Sequence, residues 1–278
     1  FTALGTMLAR KIHALNSPPR KVIVLDCDNT LWRGIVGEDG AQGIQIDAPS
    51  RGLQAFMLAQ QQAGMLLCMV SKNNEADVAE VFEKRHDMPL RREHFVAWRI
   101  NWRRKSENLR ALAGELKLGL NSFIFLDDNP AECSEVQLHC PEVIALTLPR
   151  HRADLPRFLQ HVWAFEHLKL TSEDLQRTAL YQQNLQREQF QQQTQTFADF
   201  LAGLKLEIQI VEWTPQTLPR IAQLTECTNQ FNVWTRRRSE SEIRSLCQSG
   251  HHCLVLNVRD RFGDYGLVGV MIYQQTAD

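Results

Sequence analysis

Short apolar runs, spaced by helical patterns, constrain this chain more than any other feature. They are "VIVL" at 22–25, "MLLCMV" at 65–70, "HFVAW" at 94–98, "SFIFLDD" at 122–128 and "EVIALTL" at 142–148. Between them lie amphipathic stretches: Ser50–Ala63, read as capped by Ser50, then "NEADVAEVFEKR" and "KSENLRALAGELKL", the last closed by Gly119. Strands apolar at every position must be covered on both faces. Strand alternating with helix therefore predicts an α/β fold, a parallel sheet with helices on both faces. In such a sheet the ligand sits beyond the carboxyl ends of the strands.

Those ends carry the chemistry. The first run leads into Asp26 and Asp28, with Cys27 between them and Thr30 two positions on; the second ends at Ser71 and the fourth in Asp127 and Asp128. Carboxylates gathered at one sheet edge repel one another and require a cation or a shared proton. An oxygen-only set suits hard Mg²⁺, held by Asp26, by Asp127 or Asp128, and by a substrate phosphate. Two acids offset by two positions project on the same side of an extended strand end. One can attack an electrophile while the other handles a proton. Ser71 can donate to a phosphate oxygen and Lys105 can neutralise its charge. "RGIVGEDGAQGIQI" is rich in Gly and Asp and reads as a hairpin-like flap rather than a helix. Trp32 and this flap are candidates to cover a bound ligand, with packing as the plainer role. Asn73 and Asn74 either line the pocket or cap the helix that starts at Glu75.

Composition removes other classes. With 44% hydrophobic and 23% charged residues among 278, the chain is long enough for a proper core, in one large or two ordinary domains. Lys+Arg 31 against Asp+Glu 32 gives a net charge of -1, so nothing global points to nucleic acid or a membrane surface. No apolar run approaches the ~20 residues of a membrane span. The 7 cysteines are scattered, without CxxC spacing, which fits reduced thiols and a cytoplasmic location. His251 and His252 beside Cys253 lack a partner cluster for a metal. Of the short basic runs, Arg236–Arg238 and Arg91/Arg92 read as solvated surface, while Arg103/Arg104/Lys105 leads into the phosphate-site lysine. The opening stretch is amphipathic, with Leu4, Met7, Leu8, Ile12 and Leu15 on one helical face. It starts without Met, as expected of a piece of a longer protein.

Organisation is expected as an N-terminal helix and linker over 1–20, a catalytic domain over 21–150 with a small flap, and 151–278 as a helical connector and a second α/β domain. That second part offers a Gln-rich helical region, the alternating strand "KLEIQIVEW", a helix over Pro215–Thr225, and two strands joined by a turn at Asp260–Tyr265. It breaks off after one apolar strand, as a truncated domain would. Asn229, Gln230 and Asn232, with Arg236 or Arg237, form a dense polar cluster suited to binding or to a self-bonded loop.

"DCDNT" resembles the DxDxT signature of the haloacid dehalogenase-like (HAD) phosphotransferases, with Ser71, Lys105 and "LDDNP" matching their second, third and fourth motifs. The resemblance implies a Rossmann-like sheet. It makes Asp26 the residue that forms an aspartyl-phosphate and Asp28 a general acid/base that lends its backbone carbonyl to Mg²⁺. It further implies that Thr30 braces the loop and that Asp127 and Asp128 complete the metal site. The short interval between the first two motifs leaves room for a flap but no large cap, which suits a macromolecular substrate or a partner protein. More finely, "LDCDNTLWRGIVGEDG", "SKNN", "INWRRKS", "LDDNP", "TNQFN" and "DRFGDYGLVGV" are similar to the FkbH-like proteins of polyketide assembly lines. That resemblance implies loading of a glyceryl unit from 1,3-bisphosphoglycerate onto an acyl carrier protein, within a larger assembly-line protein. It also implies a GNAT-like (N-acyltransferase) fold from Glu166 onward. One departure stands out: Glu132 is followed by Cys133 where the family pattern often has arginine. In this setting Cys27 is either an acyl-carrying thiol, activated by Mg²⁺ and Lys105, or a core residue. Cys227 is the competing thiol, and Cys68 reads as core. Two other functions stay open: a plain HAD phosphatase of a small phosphorylated metabolite, and a non-catalytic module that docks a carrier protein.

Overall fold

Apolar runs with no polar face have no stable place except the middle of a layered fold, and the computed structural model puts them there. It describes residues 2–16, 20–166, 172–227 and 237–274. Asn229, Gln230, Asn232 and Arg236 lie outside the described residues, as does the side chain of Cys227. Two compact units emerge, Phe1–Gln182 and Gln183–Asp278.

The first unit opens with helix α1 (Thr2–Asn16), followed by β1 (Val22–Leu25), α2 (Val36–Gly43), α3 (Ala48–Gln62), β2 (Leu66–Ser71) and α4 (Glu75–Lys84). It continues with β3 (Phe95–Ile100), α5 (Lys105–Leu116), β4 (Phe123–Asp127), α6 (Pro130–His139), β5 (Ile144–Thr147) and α7 (Leu155–His161). The strands form one sheet in the order β3-β2-β1-β4-β5, every pair parallel. Alternation along β1 divides its side chains between two cores. Ile23 and Leu25 join Leu53, Met57, Val78 and Val81 from α3 and α4; Val22 and Val24 join Leu109, Leu112 and Val136 from α5 and α6. Each such side chain, removed from water, contributes about 1.5–3 kcal/mol, so both layers hold the sheet. Strand order reverses between β2 and β4 on either side of β1. The crevice at that switch point lies at the carboxyl end of β1.

Two local expectations are corrected. The Gly-rich segment after β1 is a short helix, α2, not a hairpin-like flap. Val36 and Ala41 are buried, and Asp39 Oδ2 accepts from Ile35 N at 2.9 Å to start the helix. A single antiparallel bridge, Arg33↔Gln45, closes its base. The glycines serve bends rather than a hairpin. Gly40 kinks the helix at φ 70, and Gly34, at φ +110, has no room for a Cβ, which would lie 2.5 Å from Asp39 Oδ2. The second correction concerns α3, which starts at Ala48. Its cap is Asp47, whose carboxylate accepts from Ser50 N at 2.8 Å, with Pro49 in the first turn.

The second unit begins within α8 (Ser172–Gln193) and continues through α9 (Phe197–Leu204), β6 (Glu207–Glu212), α10 (Leu218–Cys227), α11 (Glu240–Gln248), β7 (His252–Asp260) and β8 (Gly263–Tyr273). Strands β6, β7 and β8 form an antiparallel sheet, on one side of which Leu218, Ile221 and Ile243 pack against Cys253 and Val255. Asp260 organises the β7–β8 turn. It accepts from Phe262 N at 2.8 Å, Gly263 N at 2.9 Å, Tyr265 Oη at 2.8 Å and Arg187 Nε at 2.6 Å. Among the described residues, no helix is long and apolar enough to cross a membrane.

Candidate active site

Residue by residue, the site follows from how β1 ends. The β1–β4 ladder runs one step beyond the strand, Asp26 N donating to Leu126 O at 3.0 Å, so the Asp26 backbone is still held by the sheet. The chain then turns. Leu31 N donates to Cys27 O at 2.8 Å, and Asn29 adopts the left-handed conformation at φ 54. Asparagine tolerates that region. Its side chain accepts from Gly34 N at 3.1 Å, and Arg152 Nη1 donates to its carbonyl at 2.6 Å.

Lys105 ties the carboxylates together. It opens α5 and is 2% exposed. A cation at a helix N-terminus opposes the helix dipole, and the neighbouring carboxylates offset that. Its ammonium donates to Asp26 Oδ1, to Asp127 Oδ2 at 2.9 Å and to Val70 O at 3.0 Å. An ammonium has three N–H groups, and all are engaged. Burial alone pushes the Lys105 pKa down, but Asp26 and Asp127 outweigh it and hold it above the ordinary lysine range. Burial pushes the Asp26 carboxyl up to about 7; Lys105 pulls it down, and Asp127 pushes it further up. Asp128, part-buried, is also raised, by burial first and then by Asp127. Asp26, Asp127 and Asp128 bring one carboxylate oxygen each within 4.8 Å of one another. That is a hard, oxygen-only donor set of the kind a small divalent cation takes.

Asp28 is held apart from that trio. Oδ1 accepts from Trp32 Nε1 at 2.8 Å and from Val36 N at 3.1 Å, and Oδ2 accepts from Asn73 Nδ2 at 2.8 Å. Three donors from two loops and α2 fix its orientation. Its carboxylate is therefore engaged elsewhere than the metal-suited cluster. Ser71, 2% exposed, sits at the end of β2 on the wall of the same mouth as Asp26. Asn73 holds Asp28, whereas Asn74 caps α4 by accepting from Ala76 N at 3.1 Å. Thr30 is fully buried, and its hydroxyl oxygen has no hydrogen-bond partner.

Cys27 faces the other way. It is 0% exposed and part of the core that includes Leu31, Trp32 and Met57. Burial, and then the Asp26 charge, push its thiol well above the ordinary range, so in this state it is protonated. Cys68 is likewise core, pushed up to about 12 by burial.

The mouth over these groups is a cavity of about 610 Å³, reached past Ile35, Gly37 and Glu38 on one side and Trp102, 74% exposed, on another. Lys72 and Glu132 span it with an ion pair of 2.6 Å. A second cavity of about 470 Å³ lies in the second unit, lined by Trp213, Arg244, Cys247, His251 and Cys253, with none of the acidic cluster. Sequence reasoning did not find the Trp32–Asp28 bond, although its four-residue spacing was a usable signal. It also did not find the Lys72–Glu132 pair or the Arg152 brace, which carry no local signal at all.

No protein-family model matches the chain, and no curated protein matches it. Among solved structures it is similar to the N-terminal part of the protein BF1531 from Bacteroides fragilis, which contains a phosphatase domain and was crystallised with Mg. Identity there is 32% over 58% of this chain and 45% of that one, with a TM-score of 0.56. The chain thus spans less than half the length of that neighbour. A HAD-family enzyme from Bacteroides thetaiotaomicron, in complex with magnesium and inorganic phosphate, shares 10% identity over 48% of this chain and 95% of that one. Its TM-score of 0.35 is too slight to carry weight.

Proposed function

We propose that the first unit is a Mg²⁺-dependent phosphoryl-transfer site of the HAD type, acting on a phosphorylated substrate. The observation that carries this is the convergence of the Asp26, Asp127 and Asp128 carboxylates beside buried Lys105, with Asp28 oriented separately by its own donors. The magnesium-bound phosphatase domain of the Bacteroides fragilis neighbour supports the same reading. Asp26 Oδ attacks phosphorus while the bond to the leaving oxygen breaks, and Asp28 gives that oxygen its proton. Asp28 then takes a proton from water, whose oxygen attacks phosphorus and frees Asp26 and inorganic phosphate. Ser71 donates to a phosphate oxygen, and Lys105 pulls Asp26 toward its ionised, nucleophilic form against the effect of burial. Bound Mg²⁺ at Asp26, Asp127 and Asp128 would neutralise charge on the transferred group.

The finer reading keeps 1,3-bisphosphoglycerate as substrate and a carrier-protein thiol as acceptor of the glyceryl unit, and its support is the string of FkbH-like motifs. Under it, the buried, protonated thiol of Cys27 favours direct passage to the carrier thiol. Cys27 would act as acyl carrier only after becoming exposed. The three-stranded antiparallel sheet with α10 and α11 on one side supports a GNAT-like second unit. The test is phosphate release from a panel of phosphate esters with and without Mg²⁺, for the native chain and Asp26→Asn. Release should be lost in Asp26→Asn and on chelation; release that survives either change overturns the proposal. Intact mass after incubation with 1,3-bisphosphoglycerate and Mg²⁺, comparing Cys27→Ala, reads the acyl step separately.

A further inference from the structure

Lys105 has no N–H left to offer a ligand, since Asp26, Asp127 and Val70 O take all three. Lys72 is the other lysine lining the mouth, set among carboxylates. It directly follows Ser71, and its side chain is 37% exposed against 3% for Lys105. Among the described residues its partner is Glu132 Oε1, at 2.6 Å. Glu132 lies in the first turn of α6, just beyond Asp127 and Asp128, so the pair joins the ends of β2 and β4 across the opening.

The pair is only half satisfied. The other carboxylate oxygen, Glu132 Oε2, is buried without a hydrogen-bond partner. The helix dipole favours a negative charge in the first turn of α6, so Glu132 retains support when Lys72 leaves it. An ammonium held by one acceptor, at the edge of an anion-binding mouth, is free to exchange that acceptor for a ligand's.

We propose that Lys72 is the specificity-determining residue of a second anion subsite. Glu132 parks it in the free protein, and it is released to a carboxylate or phosphate that the substrate carries beyond the transferred phosphoryl group. The substrate class is then phosphate esters with a second anionic group. This rests on reading the Asp26 cluster as a phosphoryl site.

The test is calorimetric titration, in Mg²⁺, of the full chain with two probes that share one phosphate: ethyl phosphate, and 2-phosphoglycolate with its added carboxylate. The native chain should bind 2-phosphoglycolate about ten-fold tighter, as a charge-assisted contact provides. Lys72→Met should erase that ratio while leaving ethyl phosphate unchanged. Glu132→Gln, with the lysine released from its partner, should keep or enlarge it. Equal affinity of the native chain for both probes, or a ratio that survives Lys72→Met, overturns the subsite and leaves the phosphoryl site standing. Binding of neither probe overturns the phosphoryl reading, and the subsite with it.

Discussion

Replacing Lys105 by Met removes one cation from between two carboxylates that are almost wholly buried, Asp26 at 6% and Asp127 at 1% exposure. Met keeps most of the stem volume, so the loss is electrostatic rather than a cavity. Deleting one partner of a buried ion pair costs about 3–5 kcal/mol, because the charge left behind stays desolvated. Here two carboxylates lose their shared partner, which places the expected loss at the upper end. The loss depends on pH, and its sign follows from Asp26. The folded carboxyl is raised from 3.8 to about 7. Folding therefore favours its protonated form, and stability falls as pH rises between those values. Without Lys105 the Asp26 carboxyl rises further, so the variant loses stability over a window that extends above that of the native chain. The gap should be largest near pH 8 and narrow below about pH 5, where a protonated Asp26 needs no ammonium. Mg²⁺ at a hundred times its Kd should return about 2.7 kcal/mol to either chain near neutral pH if the trio binds it. Urea unfolding of both chains, at the two pH values and with and without Mg²⁺, measures all of this. A loss under about 1 kcal/mol, or one equal at both pH values, would refute the reasoning that the trio is a buried charge cluster balanced by Lys105.

Two further outcomes are expected. Asp260, with its side chain 0% exposed, is pulled to about 2; burial alone would raise it, but Arg187 and Tyr265 lower it further. Its contribution of about 2 kcal/mol is present above pH 4 and is lost as pH falls toward 2. Asp260→Asn should therefore speed amide hydrogen exchange in β7 and β8 at neutral pH and change little in strong acid; equal effects at both would refute the linkage. Cys27 in the native chain should react with iodoacetamide at least about a hundred-fold more slowly than in the urea-unfolded chain, because the protonated, buried thiol is inert. Rapid labelling of Cys27, read by peptide mass, would refute its burial.

Much of the first unit was legible in the residues alone. Runs such as "VIVL" and "FIFL" have no polar face, and that local property is enough to require a sheet covered on both sides. Because parallel strands all point one way, residues that directly follow such runs share one edge. Asp26, Ser71 and Asp127 are therefore neighbours before any contact is known. Local chemistry was a weaker guide where two readings shared one composition. The glycines after β1 served a kinked helix instead of a hairpin, and Asp47 rather than Ser50 capped α3. Contacts across elements belong to tertiary structure alone. The pairing of Leu25 with Met69 and with Leu126 sets how far each strand end reaches. That reach decides that Lys105 spends all its N–H groups on Asp26, Asp127 and Val70 O, and that Asp28 turns to Trp32, Val36 and Asn73. It also decides that Cys27 points into the core and that Lys72 meets Glu132. None of these follows from spacing along the chain. A hydrogen bond depends on tenths of an ångström between residues that only the packed sheet brings together.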